Sequence, residues 1–171
     1  MADQCNRKVC GVILMVSNED LDTLMGMVED CKDVKQRPDY HPEVNVMNHL
    51  LQTFDHALRE SWDFELILAA LLHDVGKAIT PYGHDRIGAA MIKPYCTYKT
   101  WWLVEQHTRF WYWINGEMRR VKKVQELTHH RWLCDLAQLA RWDRMGRNPN
   151  KQPFYERSII LDQLRKVRDE N

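Results

Sequence analysis

The chain has no Cys-x-x-Cys pair, no internal repeat, no low-complexity stretch, and no apolar run near the ~18 residues that a membrane span requires. Its five cysteines, at 5, 10, 31, 96 and 134, form an odd set without ligand spacing. That argues against a disulfide framework and against a cysteine zinc site. Charge of one sign is not in excess either: 24 Lys and Arg stand against 24 Asp and Glu. A balanced chain has no bulk field to hold a long polyanion, so no long nucleic acid is expected as partner and small phosphorylated ligands are favoured. The one dense basic cluster, Arg119, Arg120, Lys122 and Lys123, reads as a solvated helix face, where charge runs usually lie.

The N-terminus has the charged and apolar regions of a weak secretory leader, Arg7-Lys8 followed by residues 9–16, but no small-residue cleavage site follows Val16. Ser17-Asn18-Glu19-Asp20 reads instead as a helix start with acidic residues in its first turn. Cytoplasm is the default expectation, with no membrane partner.

What is present is helical periodicity. With 171 residues, 44% of them apolar, one compact core is expected. Apolar residues at Leu21, Leu24, Met25 and Val28 form a helical stripe over 20–34, and Pro38 and Pro42 break the chain after it. Residues 42–61 are amphipathic, with a stripe of Met47, Leu50, Leu51, Phe54 and Leu58; His49 lies on another line with Val46, Thr53 and His56. Residues 63–74 form a buried helix ended by Gly76, and further helices are expected over 83–92, 98–114, 117–127, 131–144 and 153–168. Strand signals are weak throughout, so the expected class is all-α.

Four short stretches then stand out: Asn48-His49, His73-Asp74-Val75-Gly76-Lys77, Gly83-His84-Asp85 and Trp142-Asp143-Arg144, with His107 between the last two. The ordered series His49, His73, Asp74, His84, His107, Asp143 consists of side chains that bind divalent metals through imidazole nitrogen or carboxylate oxygen. His73-Asp74 carries the most weight. It ends the segment Phe64–Leu72, apolar at eight of nine positions, and a carboxylate buried there without compensation is costly enough to shift its pKa or to find a cation. Six candidate ligands from at least five helices or helix ends are what a helical bundle needs to build a metal site in its core.

These stretches resemble the HD-domain phosphohydrolase superfamily, and within it the HD module of bacterial CCA-adding tRNA nucleotidyltransferases. The resemblance runs from about Arg37 to Arg147 and rests on five pieces. They are Arg37-Pro38-Asp39-Tyr40-His41-Pro42-Glu43 leading into His49; Leu71-Leu72-His73-Asp74-Val75-Gly76-Lys77; Gly83-His84-Asp85-Arg86-Ile87-Gly88-Ala89; Glu105-Gln106-His107-Thr108; and Asp143-Arg144-Met145-Gly146-Arg147. It implies a single compact HD-type bundle over 37–171, with 1–36 as a helical extension packed on it. It also implies a first metal held by His49, His73, Asp74 and Asp143, with His84 and His107 available for a second that Asp74 bridges. The cofactor is thus one or two divalent transition-metal ions (Fe, Mn, Co, Ni or Zn). Asp20-Leu21-Asp22 is spaced like a polymerase carboxylate pair, but no Gly-Ser element precedes it on a strand; copying of a CCA end is not expected.

Such ions lower the pKa of coordinated water toward neutrality, and the resulting hydroxide can attack phosphorus in line. Asp74 and Lys77 are the candidate catalytic residues, and Lys77, Arg144 and Arg147 the candidate cations for the substrate phosphate. The favoured reading is a phosphohydrolase for a phosphomonoester or cyclic phosphodiester of a nucleotide or related small molecule. Two alternatives stay open: a di-iron oxygenase of the same fold acting on an organophosphonate or polyol, and a non-catalytic nucleotide-sensing module. His56 reads as a packing histidine, His129 and His130 as surface or capping residues, and His41 as a candidate for the pocket rim. Trp101, Trp102, Phe110, Trp111, Tyr112 and Trp113 cannot all face one core, so at least one of Trp102, Tyr112 and Trp113 should be partly exposed and offer a ligand or oligomer surface.

Overall fold

Side-chain caps set where four of the eight α-helices among the described residues begin. The computed structural model describes residues 15–171 and the backbone of two short antiparallel strands, β1 (Lys8–Val9) and β2 (Val12–Ile13). Ser17 accepts a hydrogen bond from the Asp20 N–H and the Asp20 carboxylate accepts from the Ser17 N–H at 2.8 Å, a capping box that starts α1 (Asn18–Glu29). The Asp20-Leu21-Asp22 segment is therefore a helix start. Asn45, Asp63 and Thr97 cap α2 (Val46–Glu60), α3 (Phe64–Leu72) and α5 (Tyr98–Ile114) in turn. Each places a side-chain oxygen on an N–H that has no partner within its helix. α4 (His84–Ile92), α6 (Val121–Thr128), α7 (Leu133–Met145) and α8 (Arg157–Asp169) complete an all-α fold. Cys5, Cys10 and most of the leader-like stretch lie outside the described residues; Cys31 and Cys96 are buried and Cys134 exposed, all three as free thiols.

The helix α3 lies at the centre because nearly its whole surface is apolar: Phe64, Leu66, Ile67, Leu68, Leu71 and Leu72 are all buried. It packs against α2, α5, α7, α8 and α1, and burial of each such side chain contributes about 1.5–3 kcal/mol. Leu21, Leu24, Met25 and Val28 bury the predicted stripe of α1 in the same core, against α8, α2 and α3. No helix among the described residues is long and apolar enough to cross a membrane.

The boundaries depart from the sequence periodicity where function collects. The buried helix stops at Leu72, so that His73 is its C-cap and Asp74 leaves helical geometry at φ −109°, ψ 7°, before a 3₁₀ turn over Val75–Ala78. The amphipathic helix begins at Val46 because the chain before it is folded into turns, one of which holds Val44 at φ 63°. α6 and α8 likewise begin four residues beyond the expected 117 and 153.

Candidate metal centre

The six residues of the ligand series converge in the interior. His49 comes from α2, His73 and Asp74 from the end of α3, His84 from the start of α4, His107 from the middle of α5 and Asp143 from the last turn of α7. All are buried except His84, which is half-buried. The four imidazoles share one orientation: each Nδ1 faces a main-chain carbonyl, Gly146 O for His49 (3.1 Å), Ala70 O for His73 (3.0 Å), Pro81 O for His84 (2.9 Å) and Val104 O for His107 (2.6 Å). A carbonyl only accepts, so each Nδ1 carries hydrogen and each Nε2 is left to point inward, the arrangement that metal-binding histidines adopt.

The inward atoms meet in two groups. His49 Nε2 lies 3.1 Å from His73 Nε2, 3.1 Å from Asp143 Oδ1 and 3.6 Å from Asp74 Oδ2; His73 Nε2 lies 3.6 Å from Asp74 Oδ2. On the other side His84 Nε2 lies 3.2 Å from His107 Nε2 and 3.0 Å from Asp74 Oδ1, and His107 Nε2 lies 3.5 Å from that oxygen. Asp74 thus turns one oxygen to each histidine pair. Neighbouring ligands about 2.1 Å from a common ion stand roughly 3.0–3.4 Å apart in octahedral or tetrahedral sites, so these spacings fit a coordination shell. Each group also holds more acceptor atoms than protons, and a small cation satisfies them together.

Electrostatics agree with this reading. Burial alone would raise Asp74, but Lys77, His73 and hydrogen bonds from His107 and His84 hold its carboxyl well below the usual range. Asp143 is likewise held low, against burial, by the hydrogen bond and charge of His49 and by the charge of Arg147. Burial pushes the His73 imidazolium down to about 3, which keeps the ring neutral and its Nε2 lone pair available. For His49, burial is outweighed by hydrogen bonds to Asp143 and Glu43, and its pKa is pushed up to about 9.

The supporting residues are held by local contacts. Lys77 donates to Asp74 Oδ2 and to Gln36 Oε1, both at 2.6 Å. Arg147 ion-pairs with Asp143 Oδ1 at 2.9 Å and reaches Tyr40 O at 3.3 Å, whereas Arg144 is exposed and has no acidic partner among the described residues. Thr108 donates to Asp85, tying α5 to α4 next to His107 and His84. His41 lies beside the site, its Nδ1 2.9 Å from Glu43 Oε1. His56 makes no hydrogen bond to these residues, His129 bonds the Gln125 carbonyl as a helix-end residue, and His130 departs from a surface role by stacking on Trp102 with ring centroids 3.7 Å apart. Tyr112 is exposed and Trp113 half-buried, while Trp102 is buried; Arg119, Arg120, Lys122 and Lys123 are all exposed.

Three residues of the site are not in the ligand series. Glu43 accepts from His49 Nδ1 at 3.1 Å as well as from His41, and is drawn down to about 2 because these bonds outweigh the effect of burial. Gln36 donates to Glu43 Oε1 at 3.3 Å while accepting from Lys77. Trp111 donates to Asp143 Oδ2 at 3.2 Å. Trp111 carries a sequence signal, one turn after His107 on the same helix face; Glu43 and Gln36 sit in an irregular segment where no periodicity points inward.

A buried cluster of histidines and carboxylates, gathered from five helices or helix ends around one aspartate, is of the kind that could hold metal ions in a helical bundle. The HD domain family model matches residues 46–160, well over half the chain, and the chain belongs to that family. Among curated proteins it is similar to the Multifunctional CCA proteins of Burkholderia mallei (strain SAVP1) and Burkholderia pseudomallei (strain K96243), each 36% identical over 94 residues, 51% of this chain and 21% of theirs. The Multifunctional CCA protein of Paraburkholderia phytofirmans is 35% identical over the same shares. The chain spans about one fifth of the length of these relatives.

Proposed function

We propose that the chain is a metal-dependent phosphohydrolase that cleaves a phosphomonoester or cyclic phosphodiester of a nucleotide or related small molecule. The observation that carries this reading is the position of Asp74, one oxygen facing His49 and His73 and the other facing His84 and His107. Such an array is suited to two divalent ions, the first on His49, His73, Asp74 and Asp143, the second on His84, His107 and Asp74. A bound divalent ion supplies Lewis acidity toward a phosphoryl oxygen and lowers the pKa of water toward neutrality.

The remaining roles belong to the protein. The carbonyls on Nδ1 fix the histidine tautomers and ring directions, so no rotation is needed at the moment of reaction. Lys77 restrains Asp74 and adds positive charge beside it; Arg144, exposed and without an acidic partner among the described residues, is the cation left to take a phosphate, and Arg147 orients Asp143. A nucleotide-bearing substrate is supported by the family and by the name of the relatives, Multifunctional CCA protein. Residues 37–171 act as the catalytic unit with α1 packed on it.

The test is turnover without oxygen. With Mn, Co or Ni supplied under nitrogen, at least one nucleotide phosphoester is expected to release phosphate or to open its ring, because this chemistry needs no redox change. His73→Ala and Asp74→Ala are expected to abolish the activity and to lower metal content. Activity confined to iron plus dioxygen, with no phosphoester cleaved under any metal, would replace this reading by an oxygenase.

A further inference from the structure

An open groove of about 450 Å³ runs between α5 and α7, beside the ligand cluster. Its apolar lining is Phe110, Trp111, Ala137, Ala140 and Met145, and its cationic side chains are Arg141 and Arg144. This size and lining, mostly apolar with a few polar groups, match sites for small molecules. The groove adjoins the metal centre through a single side chain. The Trp111 ring forms part of the lining, and its indole nitrogen lies 3.2 Å from Asp143 Oδ2, while Asp143 Oδ1 faces His49 Nε2 at 3.1 Å.

The two arginines differ in what holds them. Arg141 is paired with Glu60 at 2.6 Å. Arg144 follows Asp143 directly in the chain and has no acidic partner among the described residues. A purely apolar occupant would make no use of Arg144, and a bare phosphate none of the aromatic lining. A ligand with a planar aromatic part and a phosphate satisfies both, since Trp offers a stacking face and Arg a bidentate donor for phosphate.

We propose that this groove is the base-binding subsite of the same centre: the base of a nucleotide lies on Trp111 while Arg144 pairs with the phosphate held toward Asp143. The proposal rests on the hydrolase reading and adds to it a source of discrimination between a nucleotide and the same phosphoester without a base. Stacking of a base on an aromatic side chain is worth about a tenfold or greater change in affinity.

The experiment compares hydrolysis of a nucleoside monophosphate and of ribose phosphate by the full chain loaded with Mn, in wild type, Ala137→Trp and Arg144→Gln. Ala137→Trp fills the groove, and the wild-type preference for the nucleotide, read as the ratio of kcat/KM, is expected to fall about tenfold. Arg144→Gln is expected to raise KM for both substrates. A second measurement does not depend on turnover or on the folding of Ala137→Trp: nucleoside monophosphate should quench tryptophan fluorescence of the metal-loaded wild type, and Trp111→Phe should lose that quench. If both substrates are cleaved with no preference and Ala137→Trp changes them alike, the subsite is rejected while the hydrolase reading stands. If neither is cleaved, the hydrolase reading is at fault and the quench alone decides whether the groove binds a base. A change of oligomeric state in Ala137→Trp with unchanged preference would assign the groove to a second copy of the chain and overturn the proposal.

Discussion

At the scale of single residues, His49 is the proposed ligand whose protonation would most affect metal uptake. Its Nδ1 is shared between Gly146 O and Glu43, and its Nε2 faces Asp143 and His73. These carboxylates outweigh burial and raise its pKa to about 9, so in the apoprotein at neutral pH a proton sits on Nε2, where a metal ion would bind. The folded value lies above the ordinary 6.5. The stability that the imidazolium contributes is therefore complete below that value and is lost as pH rises through about 9. An entering ion has to displace the proton, so metal affinity moves in the opposite sense, rising about tenfold per pH unit until the ring is neutral. In a His84→Ala background, which isolates the first site, Mn or Co titrations are expected to show this rise with a plateau above about pH 9, together with release of about one proton per ion. A flat profile would mean that His49 is not a ligand.

Neighbouring residues show how that position is held. Val44 has φ 63°, a backbone region that costs a β-branched residue about 1–3 kcal/mol. Three main-chain bonds hold it there: Gln36 N–H to Val44 O at 2.6 Å, Val44 N–H to His41 O at 2.9 Å, and Asn45 N–H to Glu43 O at 2.7 Å. The strain lies directly beside Glu43, whose carboxylate is aimed at His49. Gln36 then joins this corner to Lys77, and its amide suits the place because it both donates and accepts, whereas the ammonium solely donates and the carboxylate solely accepts.

At the scale of elements, two close approaches set the geometry. A Cβ on Gly76 would stand 2.1 Å from His84 O and 2.6 Å from Gly88 N, both main-chain atoms, so the 3₁₀ turn after Asp74 can lie on α4 only with glycine there. A Cβ on Gly146 would stand 2.4 Å from Thr53 Oγ1 and 3.3 Å from His49 O, and the absence of one lets the Gly146 carbonyl reach His49. Gly76→Ala must push α4 away, and with it His84. It is expected to lower stability by about 1–3 kcal/mol, the usual cost of overpacking, and to weaken the second ion more than the first. Denaturant unfolding of the apoprotein and metal analysis after dialysis check the two parts separately.

The elements also show what was legible in the sequence. The eight helices follow from apolar periodicity and from caps such as Ser17 and Asp63, and 98–114 matches α5 to the residue. That the six residues of the series would converge was legible because two carboxylates and four imidazoles beside apolar runs need compensation. Glu43, Gln36 and the turn at Val44 were not, because the segment before α2 is set by tertiary hydrogen bonds and leaves no periodic trace. Nor does the sequence show that Asp74 leaves helical geometry directly after the C-cap His73; the turn that follows packs on α4 through Gly76.

At the scale of the whole molecule, the centre is assembled only by the complete fold. The proposed ligands come from α2, the end of α3, α4, α5 and α7, so ions that bind the folded chain and not the unfolded one would stabilise all five elements together. A site filled at 100 times its dissociation constant adds about 2.7 kcal/mol. Two ions are expected per chain, because Asp74 offers an oxygen to each histidine pair. His84→Ala and His107→Ala should each retain one ion and about half of the metal-dependent gain in thermal stability, whereas Asp74→Ala, which removes a ligand from both groups, should lose nearly all of it. Metal content by elemental analysis and melting temperature with and without chelator give the two readouts. A single ion in the wild type, unaffected by loss of His84 or His107, would leave these histidines as proton donors or phosphate contacts and confine the metal to His49, His73, Asp74 and Asp143.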